Sequence, residues 1–461
     1  MCKMQRISVC LLFASAAAFA QDPTAENLRT IEELEAAQEI LIAAEAETDR
    51  YSMELVEPIE QLANRMMALN QFEEADELLD RAVQITRVNN GLHTPAQLSL
   101  IRKRIDNFSN RQAWDDARDQ MNYLFTYYLR VPVLLNESLL QDFLVLTNQH
   151  LRGATEDSRI ERGRHLSRVY QLNWAMISTA RKLYGENSPE LVPYLYRQVQ
   201  HFYLFKKGND AGGRATTNAN YYYPLNGNTR GWAKFSTRAR FYREGLRLLA
   251  QIRSIYNANG PEYAEALAMS ELYIGDWFML FDHAGLAMDS YESAYASLRA
   301  AGFSDGRINA LFGMPRILPV QQFYPSVDAA LQNLPAVAAD FQGEEGNTLV
   351  HDLSLVEWSA DYPTLRTPID SFTRSSDDST VALLSFDLPA NNEATFLYKH
   401  RFKQSVGMAV NPELVQGFTG MTFGSEQALS RLEQLRFRPR MVNGKTVSSR
   451  SRLRYEIGSE T

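Results

Sequence analysis

The stretch IEQLANRMMALNQFEEADELLDRA, residues 59–82, decides the architecture. Ile59, Leu62, Ala63 and Met66 recur at helical spacing. After Asn70-Gln71 the same spacing returns at Phe72, Ala75, Leu79 and Ala82. Steps of three and four residues put each set on one stripe of a helix. The stretch therefore predicts two amphipathic helices joined by a short polar turn. Ala63, Ala75 and Ala82 let the helices approach closely, and the large apolar residues fill the gaps between them.

The plan recurs 42 residues later in IRKRIDNFSNRQAWDDARDQMNYL, residues 101–124. Ile101, Arg104, Ile105 and Phe108 lead into the turn Arg111-Gln112. Trp114, Ala117, Met121 and Leu124 follow. Ile274, Gly275 and Phe278, then Ala287, Tyr291 and Ala294, form a third copy at matching spacings. A helical hairpin of this kind cannot bury its apolar face alone, so stacking of copies is expected. The pattern resembles the tetratricopeptide repeat (TPR) in a 42-residue form like that of kinesin light chains. Arg181 to Leu191 resembles the connector between such repeats, with Gly185 ending one helix and Ser188-Pro189 opening the next. Gly260-Pro261-Glu262 is a second connector of that type. The resemblance implies a mostly α chain, a TPR-like helical-hairpin solenoid over residues 21–312.

Residues 1–20 have the layout of a secretory signal peptide. Lys3 and Arg6 form a positive start, residues 7–20 are apolar or small, and Ala18-Phe19-Ala20 is an A-x-A triplet. The apolar run is 14 residues long, short of the roughly 20 that a spanning helix needs. A soluble periplasmic product cleaved after Ala20 is expected, with no transmembrane segment in the mature chain. Cys2 and Cys10, the only cysteines, leave with the signal. The mature chain is then held without disulfides or a cysteine metal site.

Charge is distributed unevenly along a chain of formal net charge −8. Residues 25–80 hold 16 acidic side chains against Arg29, Arg50 and Arg65, and residues 398–461 hold 11 Lys and Arg against 5 Asp and Glu. Overall acidity argues against nucleic acid as the main ligand. Residues 25–50, rich in Ala and Glu, predict an N-terminal helix with an acidic outer face. Residues 206–234, with five Gly and five Asn around Tyr221-Tyr222-Tyr223-Pro224, predict a long loop insertion.

Prolines crowd the segment after Gly313, at Pro315, Pro319, Pro325, Pro335, Pro363 and Pro368. Residues 313–378 read as a linker with short helices and extended pieces. Residues 379–461 read as a small α+β domain. Val381 to Leu388 alternates as a strand, Thr395 to Phe402 can be a second, and Ser425 can cap a helix carrying Ala428, Leu429, Leu432 and Leu435. Residues 436–457 read as a hairpin about Asn443-Gly444. Phe437 and Met441 alternate with Arg436, Arg438 and Arg440, and Leu453, Tyr455 and Ile457 with Arg450, Arg452 and Arg454. Placing both apolar rows on one face calls for an odd loop, such as Asn443-Gly444-Lys445 with a bulge. From Leu429 to Ile457 the chain resembles the C-terminal domain of TonB-type energy transducers, in which a helix leads into a Phe-x-Pro strand, an Asn-Gly-Lys turn and a closing strand. That resemblance implies a small sheet that binds a peptide segment of an outer-membrane receptor. The transducers' membrane helix and Pro-rich spacer have no counterpart here, so energy transduction does not follow.

Catalytic motifs are sparse. The seven histidines form no H-E-x-x-H pair, and no phosphate-binding G-x-x-x-x-G-K-[ST] occurs. One G-x-S-x-G match, Gly302 to Gly306, follows a predicted helix where a nucleophile elbow needs a strand. Gly302 reads as a helix cap and Ser304-Asp305-Gly306 as a turn. No catalytic residue, cofactor site or metal site is assigned. Tyr123, Tyr127 and Tyr128 are candidates to line a groove, with helix packing as the plainer reading. Arg450, Arg452 and Arg454 are candidates to flank an exposed sheet edge that takes an acidic peptide. The expected function is a non-catalytic periplasmic scaffold that binds a protein or peptide by its TPR groove and its C-terminal sheet edge. Two alternatives stay open, a cell-envelope enzyme or enzyme subunit, and a glycan- or cell-wall-binding protein using the 206–234 loop.

Overall fold

A computed structural model describes residues 25–130, 135–158, 160–210, 237–320, 322–333, 350–355, 381–390, 406–416, 429, 432–433 and 435–456. The chain divides into two compact units, residues 1–127 and 128–461. It is mostly helical, with small sheets toward the C-terminus. No helix among the described residues is long and apolar enough to cross a membrane. The segment read as a signal peptide, residues 211–234 of the expected insertion, the strand expected at 395–402 and the cap expected at Ser425 lie outside the described residues.

In the first unit α1 (Ala25–Glu47) packs on α2 (Val56–Ala68). Next come α3 (Phe72–Asn90), α4 (Leu98–Asn110) and α5 (Trp114–Arg130), the last of which runs into the second unit. The starts of α2 and α4, and those of α3 and α5, are each 42 residues apart. Ile59, Ala63, Ala75, Leu79, Ala82, Ile101, Ile105, Ala117, Met121 and Leu124 are all at most 1% exposed, so the apolar stripes are the core. The outer side of α1 is acidic, with Glu32, Glu35 and Glu39 exposed.

The turn inside each copy has one geometry. Asn70, Gln112 and Asp282 take φ of 59°, 61° and 66°. In each case the next amide reaches back to a carbonyl five residues earlier: Gln71 to Met66, Ala113 to Phe108 and His283 to Phe278, at 2.8–2.9 Å. This Schellman-type closure satisfies a carbonyl that the helix end leaves open, and it needs a left-handed residue. Asn and Asp tolerate that conformation better than other side chains do. Gln112 is the exception and has no such excuse in its chemistry.

The connectors repeat as well. Gly91, Gly185 and Gly260 take φ of 93°, 96° and 105°, where a Cβ would be strained. Each precedes a single 3-10 turn, Pro95–Gln97, Pro189–Leu191 or Pro261–Tyr263. Thr94 and Ser188 cap the first two by accepting the amides of Ala96 and Glu190 at 3.3 and 3.2 Å.

The second unit holds α6 (Glu137–Glu156), α7 (Arg162–Tyr184), α8 (Val192–Asp210), α9 (Thr237–Ala258), α10 (Ala264–Leu280), α11 (Ala284–Ala300), α12 (Asp305–Phe312) and α13 (Val327–Gln332). Residues 206–210, expected to begin the loop, belong to α8 instead. Gly275 makes the α10/α11 crossing possible, because a Cβ there would lie 2.5 Å from the Tyr291 ring.

The strands are β1 (Arg316–Leu318), β2 (Val350–Leu355), β3 (Val381–Leu388), β4 (Val410–Gln416), β5 (Arg436–Arg438), β6 (Met441–Val442), β7 (Lys445–Thr446) and β8 (Ser449–Glu456). The segment read as a linker thus supplies β1 and β2. The main sheet has the order β2-β8-β3-β4. β2 runs parallel to β8, β8 antiparallel to β3, and β3 antiparallel to β4. Leu384, Phe386, Leu388 and Leu453 meet Leu432 and Phe437 in its core.

Two expectations for this region are corrected. The loop at Asn443-Gly444 has two residues and no bulge, with Met441 facing Thr446 and Val442 facing Lys445. Asn443 and Gly444 take φ of 51° and 76°, the type I′ pattern that suits the natural twist of a hairpin. The two arginine rows consequently part: β5 pairs with β1, while β8 leaves for the main sheet. β8 is also not at an edge, because β2 adds to its far side.

Leucine in place of Ala75, Ala117 or Ala287, each 0% exposed, should overpack the core and cost about 1–3 kcal/mol. Thermal melts of the three variants check this, and unchanged melting temperatures would contradict the packing described.

Candidate functional site

The chemistry-bearing residues gather on α8 and α10 in the second unit. α10 is apolar almost throughout, yet Asp276 sits in its middle, between Gly275 and Trp277, and is 3% exposed. A buried carboxylate requires a partner. Arg438 of β5 provides it, with Nε donating to Oδ1 at 2.8 Å and NH2 to Oδ2 at 2.5 Å. The Tyr291 hydroxyl donates to the same Oδ1 at 2.9 Å. Burial works against the charge on Arg438, but the Asp276 carboxylate outweighs it and holds the guanidinium above its usual pKa range. Burial, reinforced by Asp276, pushes the Tyr291 hydroxyl well up. At the end of α10, Arg436 Nε donates to Asp282 Oδ1 at 2.9 Å.

Two strands carry these arginines past the helices. β1 faces β5 with Arg316 opposite Arg438. Arg316 is consequently lowered to about 10, by burial first and by Arg438 second. The Phe437 amide donates to the Gly407 carbonyl at 2.8 Å. Gly407 has φ 74°, and a Cβ on it would collide with Met279 of α10. At the neighbouring turn, Asn309 of α12 exchanges hydrogen bonds with Asn443 at 2.9 and 3.0 Å.

Residues following β1 lie against the same helices. Tyr196 Oη and Gln200 Nε2 of α8 both donate to the Val320 carbonyl at 2.7 Å. Tyr273 Oη of α10 donates to the Gln322 carbonyl at 3.0 Å and accepts the Tyr324 amide at 2.9 Å. Phe323 stacks among Tyr196, Tyr256 and Tyr273, with ring centroids 4.5–6.0 Å apart. Helix side chains therefore read backbone groups, aromatics fix one apolar side chain, and a buried carboxylate fixes an arginine.

Among the residues proposed from sequence, Tyr127 and Tyr128 are buried in packing. Tyr127 Oη donates to the His93 carbonyl at 3.3 Å, and Tyr128 meets Phe143 edge-on at 5.8 Å. Tyr123 is half-buried and accepts from Gln97 Nε2 at 3.0 Å. Arg450 bonds Ser385 Oγ at 3.0 Å and Glu413 at 2.8 Å. Arg450, Arg452 and Arg454 sit opposite Asp387, Ser385 and Leu383 of β3, inside the sheet. Ser304 precedes α12 and follows a helix, so the elbow geometry is not formed there. No group of three or more His, Cys, Asp or Glu arranged to hold a metal ion occurs among the described residues. Sequence reasoning missed Asp276 and Arg438. The available signal was a lone acid inside Tyr-Ile-Gly-Asp-Trp-Phe-Met-Leu, residues 273–280. No protein-family model matches the chain, and no curated protein matches it significantly.

Arg438→Met should strand the Asp276 carboxylate and cost about 3–5 kcal/mol, and adding Asp276→Leu should recover much of that. Urea melts of the full chain measure both. A single variant as stable as the parent would contradict a buried pair.

Proposed function

We propose that this chain is an exported protein-interaction scaffold of tetratricopeptide-repeat type, with a C-terminal sheet like that of TonB-type transducers, and that it binds extended segments of a protein partner in the periplasm. One observation carries the reading: α8 and α10 already hold other segments of the same chain, through backbone groups after β1 and through a buried Arg–Asp pair on strand β5. The common turn and connector geometry of the helix pairs supports the repeat assignment. Asp276 has counterparts at Asn64 and Asp106, at the same place in the other two copies, and both are exposed. They lie on α2 and α4, where Lys103 Nζ reaches Asn64 and Glu60 at 2.8 Å. This face of the first unit is the first proposed contact surface. The second is β4, which pairs with β3 alone among the described residues and exposes Leu414 and Val415. An unpaired strand offers its amides and carbonyls to an extended peptide.

Capture by the tagged full chain from a periplasmic extract tests the reading. A stable protein partner is expected, and it should be lost from Asn64→Arg/Asp106→Arg or from Leu414→Lys/Val415→Lys. Retention on purified cell wall with no protein partner would favour the glycan alternative. Export has its own readout: the intact mass of the periplasmic product should start at Gln21, and a membrane-bound species retaining Met1 would refute it.

A further inference from the structure

The α6/α7 corner holds a buried imidazole pair that the proposed function does not use. His150 of α6 is 3% exposed and His165 of α7 is 1% exposed. Their Nδ1 atoms are 3.0 Å apart. His165 Nε2 lies 3.0 Å from Asp157 Oδ2, and that carboxylate is buried too. Gly153 of α6 is pressed against the His165 ring, where any Cβ would overlap it. His150 Nε2 is buried with no hydrogen-bond partner.

These contacts dictate the protons. A carboxylate only accepts, so His165 Nε2 carries hydrogen and donates to Asp157. Neutral His165 then accepts at Nδ1, and His150 Nδ1–H is the donor to it. The chain of donation runs His150 to His165 to Asp157, leaving a bare lone pair at His150 Nε2. A proton arriving on His165 fills its Nδ1. His150 must then accept there and carry its own hydrogen on Nε2, a buried donor without an acceptor. A second proton sets two N–H groups against each other across 3.0 Å. The surrounding charges do not relieve this. α7 presents Arg164 and Arg168, α8 presents Arg197 on Asn148 of α6, and Arg152 on α6 is paired with Glu156. Asp157 is an anion in hydrogen-bond contact with the pair.

We propose that the His150–His165–Asp157 chain is an acid-released latch between α6 and α7, closed while His150 is neutral and opened when a proton is added to it. Burial first, then His165 and the two arginines, hold His150 well below the ordinary histidine pKa. The unfolded or opened form therefore binds more protons than the closed form. The stability that the latch contributes is complete above the unfolded value of about 6.5 and is lost as pH falls below it. His201 of α8 adds to the same trend, lowered by burial and by Arg197.

Amide hydrogen exchange of the full chain at pH 7.5 and 5.5, corrected for the intrinsic pH dependence of exchange, tests the proposal. Protection in residues 139–184 should fall by up to about tenfold per proton taken up over one pH unit, while residues 98–108 keep theirs. His150→Asn places an amide where Nδ1 was. It can donate to His165, or turn its oxygen to accept, but it takes no proton. This variant should lose less protection at pH 5.5 than the parent does, the remainder being the share of His201. Equal loss in parent and variant, or no loss in the parent, overturns the latch. If the variant does not fold, imidazole NMR titration of the parent decides. Uptake by His150 should share its midpoint with the loss of protection, and uptake without that loss overturns the proposal.

Discussion

The second unit is organised around the buried pair of Asp276 and Arg438. A charged group costs several kcal/mol to remove from water, so a carboxylate in the middle of α10 is tolerated only if a cation arrives in good geometry. Arg438 comes from a strand 162 residues further on, and its arrival constrains much else. β5 has to run past α10, so β1 can pair with it, and Phe437 then enters the sheet core beside Phe386. Tyr291, seated on Gly275, supplies the third polar contact. One electrostatic requirement thereby ties the helices to the C-terminal strands.

The same geometry explains why the helix face of α8 and α10 is not open. Its donors and aromatics are taken by Val320, Gln322, Phe323 and Tyr324, which follow β1. Backbone carbonyls gather bonds there from Tyr196, Gln200 and Tyr273, as a bound peptide's would. In the first unit the corresponding helix positions carry Asn64 and Asp106 and are exposed.

Buried polar groups differ in consequence according to whether they titrate in the accessible pH range. The Asp276–Arg438 pair is held ionised by mutual attraction and is a permanent structural contact. The His150–His165 pair is held together by neutrality, because each ring uses the other's lone pair or proton. The first is a contact of opposite charges and the second a contact of neutral rings.

The sequence by itself determined the local features. Helix stripes, the Asn70-type turns, the Gly-then-Pro connectors and the Asn443-Gly444 turn all depend on φ preference and on spacings of three or four residues, which neighbouring residues encode. Only the tertiary structure decided the rest. Whether β8 is an edge depends on β2, a hundred residues away and parallel to it, and no local pattern specifies a parallel partner. Tyr127 and Tyr128 have the same periodicity whether they line a groove or pack inside, and their burial is settled by what lies opposite. Asp276 is an acid in an apolar stretch that sequence reasoning passed over, and the identity of its cation could not have been read from it. Arg436, Arg438 and Arg440 are locally alike, and only the path of β5 past α10 brings Arg438 to that carboxylate.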